Sequence, residues 1–277
     1  MKIDLHCHSY LSDGKHSPEF LLKRARENEI SHLAITDHDC VAGYEQLNRS
    51  ISGIKLIPGV EISCDWEKLE VHVIGLCLDV AHAGLQDLLA TQQLQRRLRM
   101  QEMDRKLQAL GTEGLWQYLE SLPCIAYTRS HAADFLVQQG VCKNRQQAFK
   151  SHLGKKGRIY AESGWCTLDT AVNAILAAGG IAILAHPGRY PLSKRKLEAL
   201  IDVFQAAGGD GMEVSYGNID PDMRQRLGAL AISKQLFCSA GSDFHDSDAS
   251  WTDLGKYPPL DLETKKNAIW LHPRWHC

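Results

Sequence analysis

The chain has no run of about 18 apolar residues, so nothing in its 277 residues reads as a membrane-spanning helix. It lacks an apolar stretch behind the first residue. Lys2 leads straight into Ile3-Asp4-Leu5-His6, and no secretory leader is expected. Its nine cysteines include no CxxC pair. An odd count without a leader predicts reduced thiols and a cytoplasmic protein. Cys7, Cys64 and Cys77 stand in apolar, strand-like runs and are expected in the core. Charge bias is absent too: 31 basic against 33 acidic residues give a net charge of −2. The molecule as a whole therefore exerts no strong pull on polyanions, and any anion site must rest on local cations or bound metal. No repeat of fixed period and no low-complexity linker interrupts the chain.

What is present is ordinary globular composition, 44% hydrophobic and 23% charged. The length suits one large α/β domain or one barrel with an inserted lobe. Short runs rich in Ile, Val and Leu predict strands at Ile3–Cys7, Leu33–Thr36, Leu56–Ser63, Val71–Leu78, Ile181–Ala185, Met212–Ser215 and Leu236–Ala240. Ser17-Pro18 opens a helical pattern, and Leu168–Ala178 is another, closed by Gly179-Gly180. Strand–helix alternation predicts a parallel α/β architecture. Residues 81–165 break that rhythm with helical patterns at Leu85–Leu110, Glu113–Ser121, His131–Gln139 and Arg145–Leu153. They read as a mostly helical insertion forming a substrate lobe, with 1–80 and 166–277 as the main body. Between Lys143 and Arg158 lie six basic residues and no acidic one. That run is either a solvated face or a phosphate-gripping lobe with Lys155 and Lys156 at its tip.

The chemistry gathers at strand ends. His6 and His8, at i and i+2, point to the same side of a strand, and Asp13 follows in a Ser-Asp-Gly turn. His38 sits between Asp37 and Asp39 at the end of the second run, where α/β folds collect reactive groups. Asp37 and Asp39 are expected to orient the imidazole or cap a helix. Glu61 and His72 interrupt apolar runs, which demands partners for both. His186 ends a strand before Pro187, and Asp243 and His245 repeat the i, i+2 spacing. Glu213 either lines the same mouth or pairs in the core. Six histidines and three carboxylates without a thiolate suit Mn²⁺, Zn²⁺ or Fe²⁺. Nine ligands suffice for two or three ions if Glu61 bridges them. Such a centre retains positive charge and fits hydrolysis of a phosphate ester.

Asp4-Leu5-His6-Cys7-His8-Ser9, Ile35–Asp39, Pro58–Ser63, Ala185–Tyr190 and Gly241–His245 resemble the motifs of the PHP (polymerase and histidinol phosphatase) superfamily. The similarity runs from the first strand to about residue 257. Thr128-Arg129-Ser130-His131, Trp165-Cys166 and His186–Tyr190 resemble the branch of RNase AM and the 3′,5′-nucleoside bisphosphate phosphatases. The resemblance implies a distorted seven-stranded (β/α)7 barrel with a helical insertion and a manganese-bearing trinuclear centre. It implies 5′→3′ exonucleolytic trimming of 5′-phosphorylated RNA, such as in rRNA maturation, and removal of the 5′-phosphate from 3′,5′-nucleoside bisphosphates. By the same resemblance His6, His8, Glu61 and Asp243 would hold one metal, Glu61, His72 and His186 a second, and Asp13, His38 and His245 a third. Arg129 would grip phosphate, with Lys155, Lys156 and Arg189 as further contacts. His131 would contact substrate, protonate the leaving group or cap a helix. Asp134 departs from the pattern, because the branch tends to carry Arg there. No membrane and no obligatory protein partner is expected. Two other functions compete: a small-metabolite phosphatase, such as one for histidinol phosphate, and a non-catalytic metal-bound scaffold.

Overall fold

Capping chemistry sets the helix boundaries in the computed structural model, which describes residues 2–47, 53–248 and 252–277. The Ser17 side chain accepts from the Phe20 N–H and Pro18 fills the first turn, so Pro18–Glu27 is helical. Thr167 caps Leu168–Ala177 in the same way. Gly179, at φ +74°, supplies the left-handed turn that ends that helix.

The strands are β1 (Ile3–Asp4), β2 (His32–Ala34), β3 (Lys55–Ile57), β4 (Gly59–Trp66), β5 (Leu69–Leu76), β6 (Cys166–Thr167), β7 (Ile181–Leu184), β8 (Gly211–Tyr216) and β9 (Phe237–Gly241). They form a three-stranded sheet, β1-β2-β3, and a six-stranded sheet, β6-β4-β5-β7-β8-β9. The run expected as one strand over Leu56–Ser63 divides at Pro58, which has no N–H for a ladder.

The fold is α/β with mixed sheets, where alternation predicts parallel strands. β5 runs antiparallel to both β4 and β7. Glu67 and Lys68, with φ of 47° and 64°, make a two-residue hairpin between β4 and β5. That leaves no length for a crossover helix. The ladders of the described residues do not close a seven-stranded barrel. Single bridges, Cys7 to Phe244 and His38 to Glu61, join the two sheets. Left-handed backbone at Asp39, His186 and Asp243 stops regular pairing at these strand ends.

The main core lies between the larger sheet and its helices and includes Val60, Ile62, Val73, Val172, Ile175, Phe204 and Met212. Helices Ala83–Gln108, Leu115–Ser121, Arg129–Gln138 and Arg145–Ala148 bury a separate cluster with Met103, Leu107, Phe135, Leu136 and Leu153. The expected helix Arg145–Leu153 widens into a π-turn at Phe149–Leu153, closed by a bond from Gly154 N–H to Phe149 O. Among the described residues no helix is long and apolar enough to cross a membrane.

The cysteines correct one expectation. Cys7 and Cys64 are buried, but Cys77 is partly exposed and bonded to Cys277, with Cα atoms 5.3 Å apart. The other seven are free thiols. The pair is separated by 200 residues. It forms because the final residues pack beside β5 with Leu76, Ile181 and Trp275.

Candidate metal centre

The i, i+2 spacing in the segment just after β1 brings the first two ligands together. The Nε2 atoms of His6 and His8 lie 3.1 Å apart, while the Cys7 thiol turns away to donate to Ala34 O. Asp13 returns over them because Gly14 lets the turn press on the strand: a Cβ there would stand 2.1 Å from His8 O. Asp13 Oδ1 lies 3.2 Å from His245 Nε2 and 3.6 Å from His38 Nε2.

Glu61 is the hub. Its side chain is fully buried, and five imidazoles surround it: His38 and His186 at 2.9 Å, His72 at 3.0 Å, His8 at 3.3 Å and His6 at 3.4 Å. Asp243 Oδ1 stands 3.3 Å from the Nε2 of both His6 and His8. Burial alone would raise the Glu61 carboxyl, but His72, His38 and His6 hold it well below the usual range. Burial likewise opposes charge on His72, yet Glu61 and Glu70 lift it to about 10. His8 goes the other way, to about 3, because burial is reinforced by His245 and His38.

All nine residues fall into four overlapping clusters of metal-type donors. These are His8, Asp13, His38 and His245; His6, Glu61 and His186; His6, His8 and Asp243; and His38, Glu61 and His72. The division differs from the one the resemblance implies, since Glu61 shares its neighbours among separate imidazole pairs. Asp13 Oδ1, His38 Nδ1, Glu61 Oε2 and His186 Nδ1 are buried without a well-directed hydrogen bond, although His38 Nδ1 and Glu61 Oε2 stand 2.9 Å apart. Each such atom costs about 1–3 kcal/mol unless something binds it. Orphaned N and O donors converging without a thiolate fit hard or borderline divalent cations.

The neighbours have other tasks than spacing suggests. Asp37 does not orient His38. It accepts from Ser9 N–H at 2.8 Å and from the Ser9 and Ser12 hydroxyls at 2.6 Å. Asp39 takes Arg96 at 2.6 Å and the Ser63 N–H at 2.9 Å, tying the long helix to the strand ends. Both carboxylates hold backbone rather than imidazole. Glu213 is fully buried and meets His6 Nδ1 at 3.0 Å.

Arg129 lies beside the centre, 3.2 Å from Glu70. The two share a cavity of about 160 Å³ with Asp13, His38, His72 and Arg99. Glu70 also takes Arg99 at 3.1 Å and stands 3.6 Å from His72 Nε2. Sequence reading missed Glu70 and Arg99; the i, i+2 spacing of Glu70 and His72 on one strand was the available signal. Arg189 pairs with Asp243 and donates to Gly217 O. Lys155 is exposed at the hairpin, its amine on Lys68 O, and Lys156 is exposed. Neither lines the cavity that holds Arg129. His131 Nδ1 accepts the Thr128 N–H at 3.0 Å in a capping box, so capping is the role its contacts show. Asp134 binds Arg145. His152, in the basic run, is buried beside Cys142.

The chain is 40% identical over 272 residues to the 5′-3′ exoribonuclease Rnm of Salmonella typhimurium, covering 96% of this chain and 92% of that protein. It is 36% identical over 269 residues to the 3′,5′-nucleoside bisphosphate phosphatase of Chromobacterium violaceum, covering 93% of each. A solved structure of an amidohydrolase from Chromobacterium violaceum, with bound sulfate and no metal, superposes with a TM-score of 0.90 at 34% identity, covering 98% of this chain and 95% of that one. A Bifidobacterium adolescentis protein described as a metal-dependent phosphoesterase gives 0.82 at 28% identity, covering 95% and 94%. The PHP domain profile matches residues 4–214, a span holding seven of the nine clustered donors, from His6 to His186. With that match, and with relatives of this similarity aligned along nearly the whole length, the chain belongs to the PHP domain family.

Proposed function

We propose that this metal-dependent phosphoesterase trims 5′-phosphorylated RNA in the 5′→3′ direction and removes the 5′-phosphate of 3′,5′-nucleoside bisphosphates. The observation that carries the reading is the cavity in which Asp13, His38 and His72 meet Arg96, Arg99 and Arg129. A substrate with a second phosphate needs cations beyond the metals, and these arginines stand beside the donors.

His6, His8, Asp13, His38, Glu61, His72, His186, Asp243 and His245 would hold two or three ions, Mn²⁺ first, with Zn²⁺ or Fe²⁺ as alternatives. Bound divalent ions would acidify a water and neutralise charge on the phosphoryl oxygens. Arg129 supplies a forked donor to substrate phosphate once it leaves Glu70. Arg99 holds Glu70 in place during that exchange. His131 fixes the turn that presents Arg129 and takes no part in proton transfer. Arg189 braces Asp243, and Lys155 and Lys156 act only on longer RNA. In this reading residues 81–165 are the substrate lobe of a body made by 1–80 and 166–277. The two bridges between the sheets support reading that body as a distorted seven-stranded barrel with open seams. The working place is the cytoplasm, with no membrane or obligatory protein partner.

One metal-loaded preparation tests the reading against 3′,5′-bisphosphoadenosine, a short 5′-phosphorylated RNA and histidinol phosphate. Phosphate release from the bisphosphate and 5′-end shortening of the RNA are expected. Turnover of histidinol phosphate alone would overturn the substrate class.

A further inference from the structure

Glu213 lies outside the nine donors, yet it is fully buried at the base of their cluster. The register of β8 against β9 shifts between Glu213 and Ser215, so the strand bulges at this point. Bulges re-aim side chains beside active sites. Here the carboxylate meets two groups of the centre at once. Oε1 is 3.0 Å from His6 Nδ1, and Oε2 accepts the His186 backbone N–H at 2.7 Å. The opposite nitrogen of His6, Nε2, faces Asp243 at 3.3 Å, Glu61 at 3.4 Å and His8 at 3.1 Å.

We infer that Glu213 is a positioning residue of the metal centre: it accepts the Nδ1 proton of His6 and thereby presents a bare Nε2 to the cation. The same carboxylate fixes His186, whose left-handed backbone, at φ 29°, needs external support. An imidazole can offer only one unprotonated nitrogen when neutral, and its partner decides which one. A carboxylate behind it orients the ring and strengthens it as a ligand. Glutamate is needed rather than glutamine. Two N–H donors converge on its two oxygens, whereas an amide has one acceptor and would turn an NH₂ toward a donor. Glu213 also adds a fourth buried carboxylate to the three that read as ligands. The net positive charge left for phosphate is then smaller by one.

The inference rests on the metal reading above, and the test separates the two. Metal-stripped full-length protein and its Glu213→Gln variant are titrated with Mn²⁺ by calorimetry, and their melting is followed by circular dichroism. The folded variant is expected to lose roughly 10- to 100-fold in affinity for one class of site and keep the others. Equal affinity in a folded variant overturns the inference. A wild-type protein that binds no Mn²⁺ overturns the metal reading instead. Where the substitution prevents folding, long-range ¹H–¹⁵N spectra of the Zn²⁺-loaded wild type decide. A proton on His6 Nδ1 is expected, and a proton on Nε2 overturns the inference.

Discussion

The strand-end cluster and the helical lobe carry charge in opposite ways. In the cluster every donor touches several others, and Glu61 alone has five imidazoles within 3.4 Å. In the lobe the conspicuous basic run from Lys143 to Arg158 is spread over a short helix, a π-turn and the loop after it, and its Arg145 is spent on Asp134. The lobe cations that reach the cavity are Arg96, Arg99 and Arg129, from helices packed against the strand ends. Under the proposed function, a few arginines placed by packing would serve substrate grip better than a dense run of charge in sequence. Exposed cations are screened and hydrated, whereas buried or half-buried ones paired to a carboxylate are already largely desolvated.

Removing the hub tests that contrast most severely. Glu61→Ala is expected to lower kcat by on the order of 10³-fold or more, since it withdraws the carboxylate shared by two of the clusters and with it several kcal/mol of metal stabilisation. Steady-state phosphate release measures it; retention of more than a tenth of the activity would mean the cluster is not the reactive centre. Metal removal comes next. Chelation should abolish turnover reversibly and lower the melting temperature, because a ligand at a hundredfold its Kd stabilises a fold by about 2.7 kcal/mol. A melting curve indifferent to Mn²⁺ would place the orphaned donors outside any binding site.

Arg129→Ala probes the boundary between the two regions. Loss of a charge-assisted contact worth about 1.5–3 kcal/mol should raise KM for the bisphosphate roughly 10- to 100-fold with kcat largely kept. An equal fall in kcat would show that Arg129 acts chiefly in the transition state. The double change Lys155→Ala, Lys156→Ala should do least, leaving KM for the bisphosphate within about twofold and stability within about 0.5 kcal/mol. A large effect on this small substrate would bring the lobe tip into the site and erase the contrast.

Much of the fold is legible along the chain because its signals are local. Ser17 and Thr167 cap helices through bonds that span three residues, and Gly179 ends a helix by its own backbone freedom. His6 and His8 share a side through strand pleating alone. The direction of β5 is harder to read. Glu67 and Lys68 lack the Asn-Gly or Asp-Gly signature of a two-residue hairpin. The disulfide partner of Cys77 lies 200 residues away, beyond the reach of any spacing rule.

By itself the sequence determined which residue types stand at each strand end, and with them the family, since both follow from composition, order and period. Only the tertiary structure decided which atoms meet. It set five imidazoles around Glu61, turned Glu213 onto His6, and gave Arg129 to Glu70. It also withdrew Asp37 and Asp39 from the imidazole and left Lys155 at the rim. The physical reason is that a ligand set is a property of strand ends drawn together by burial of the cores behind them. Those cores join residues far apart in the chain, while periodicity speaks only for neighbours.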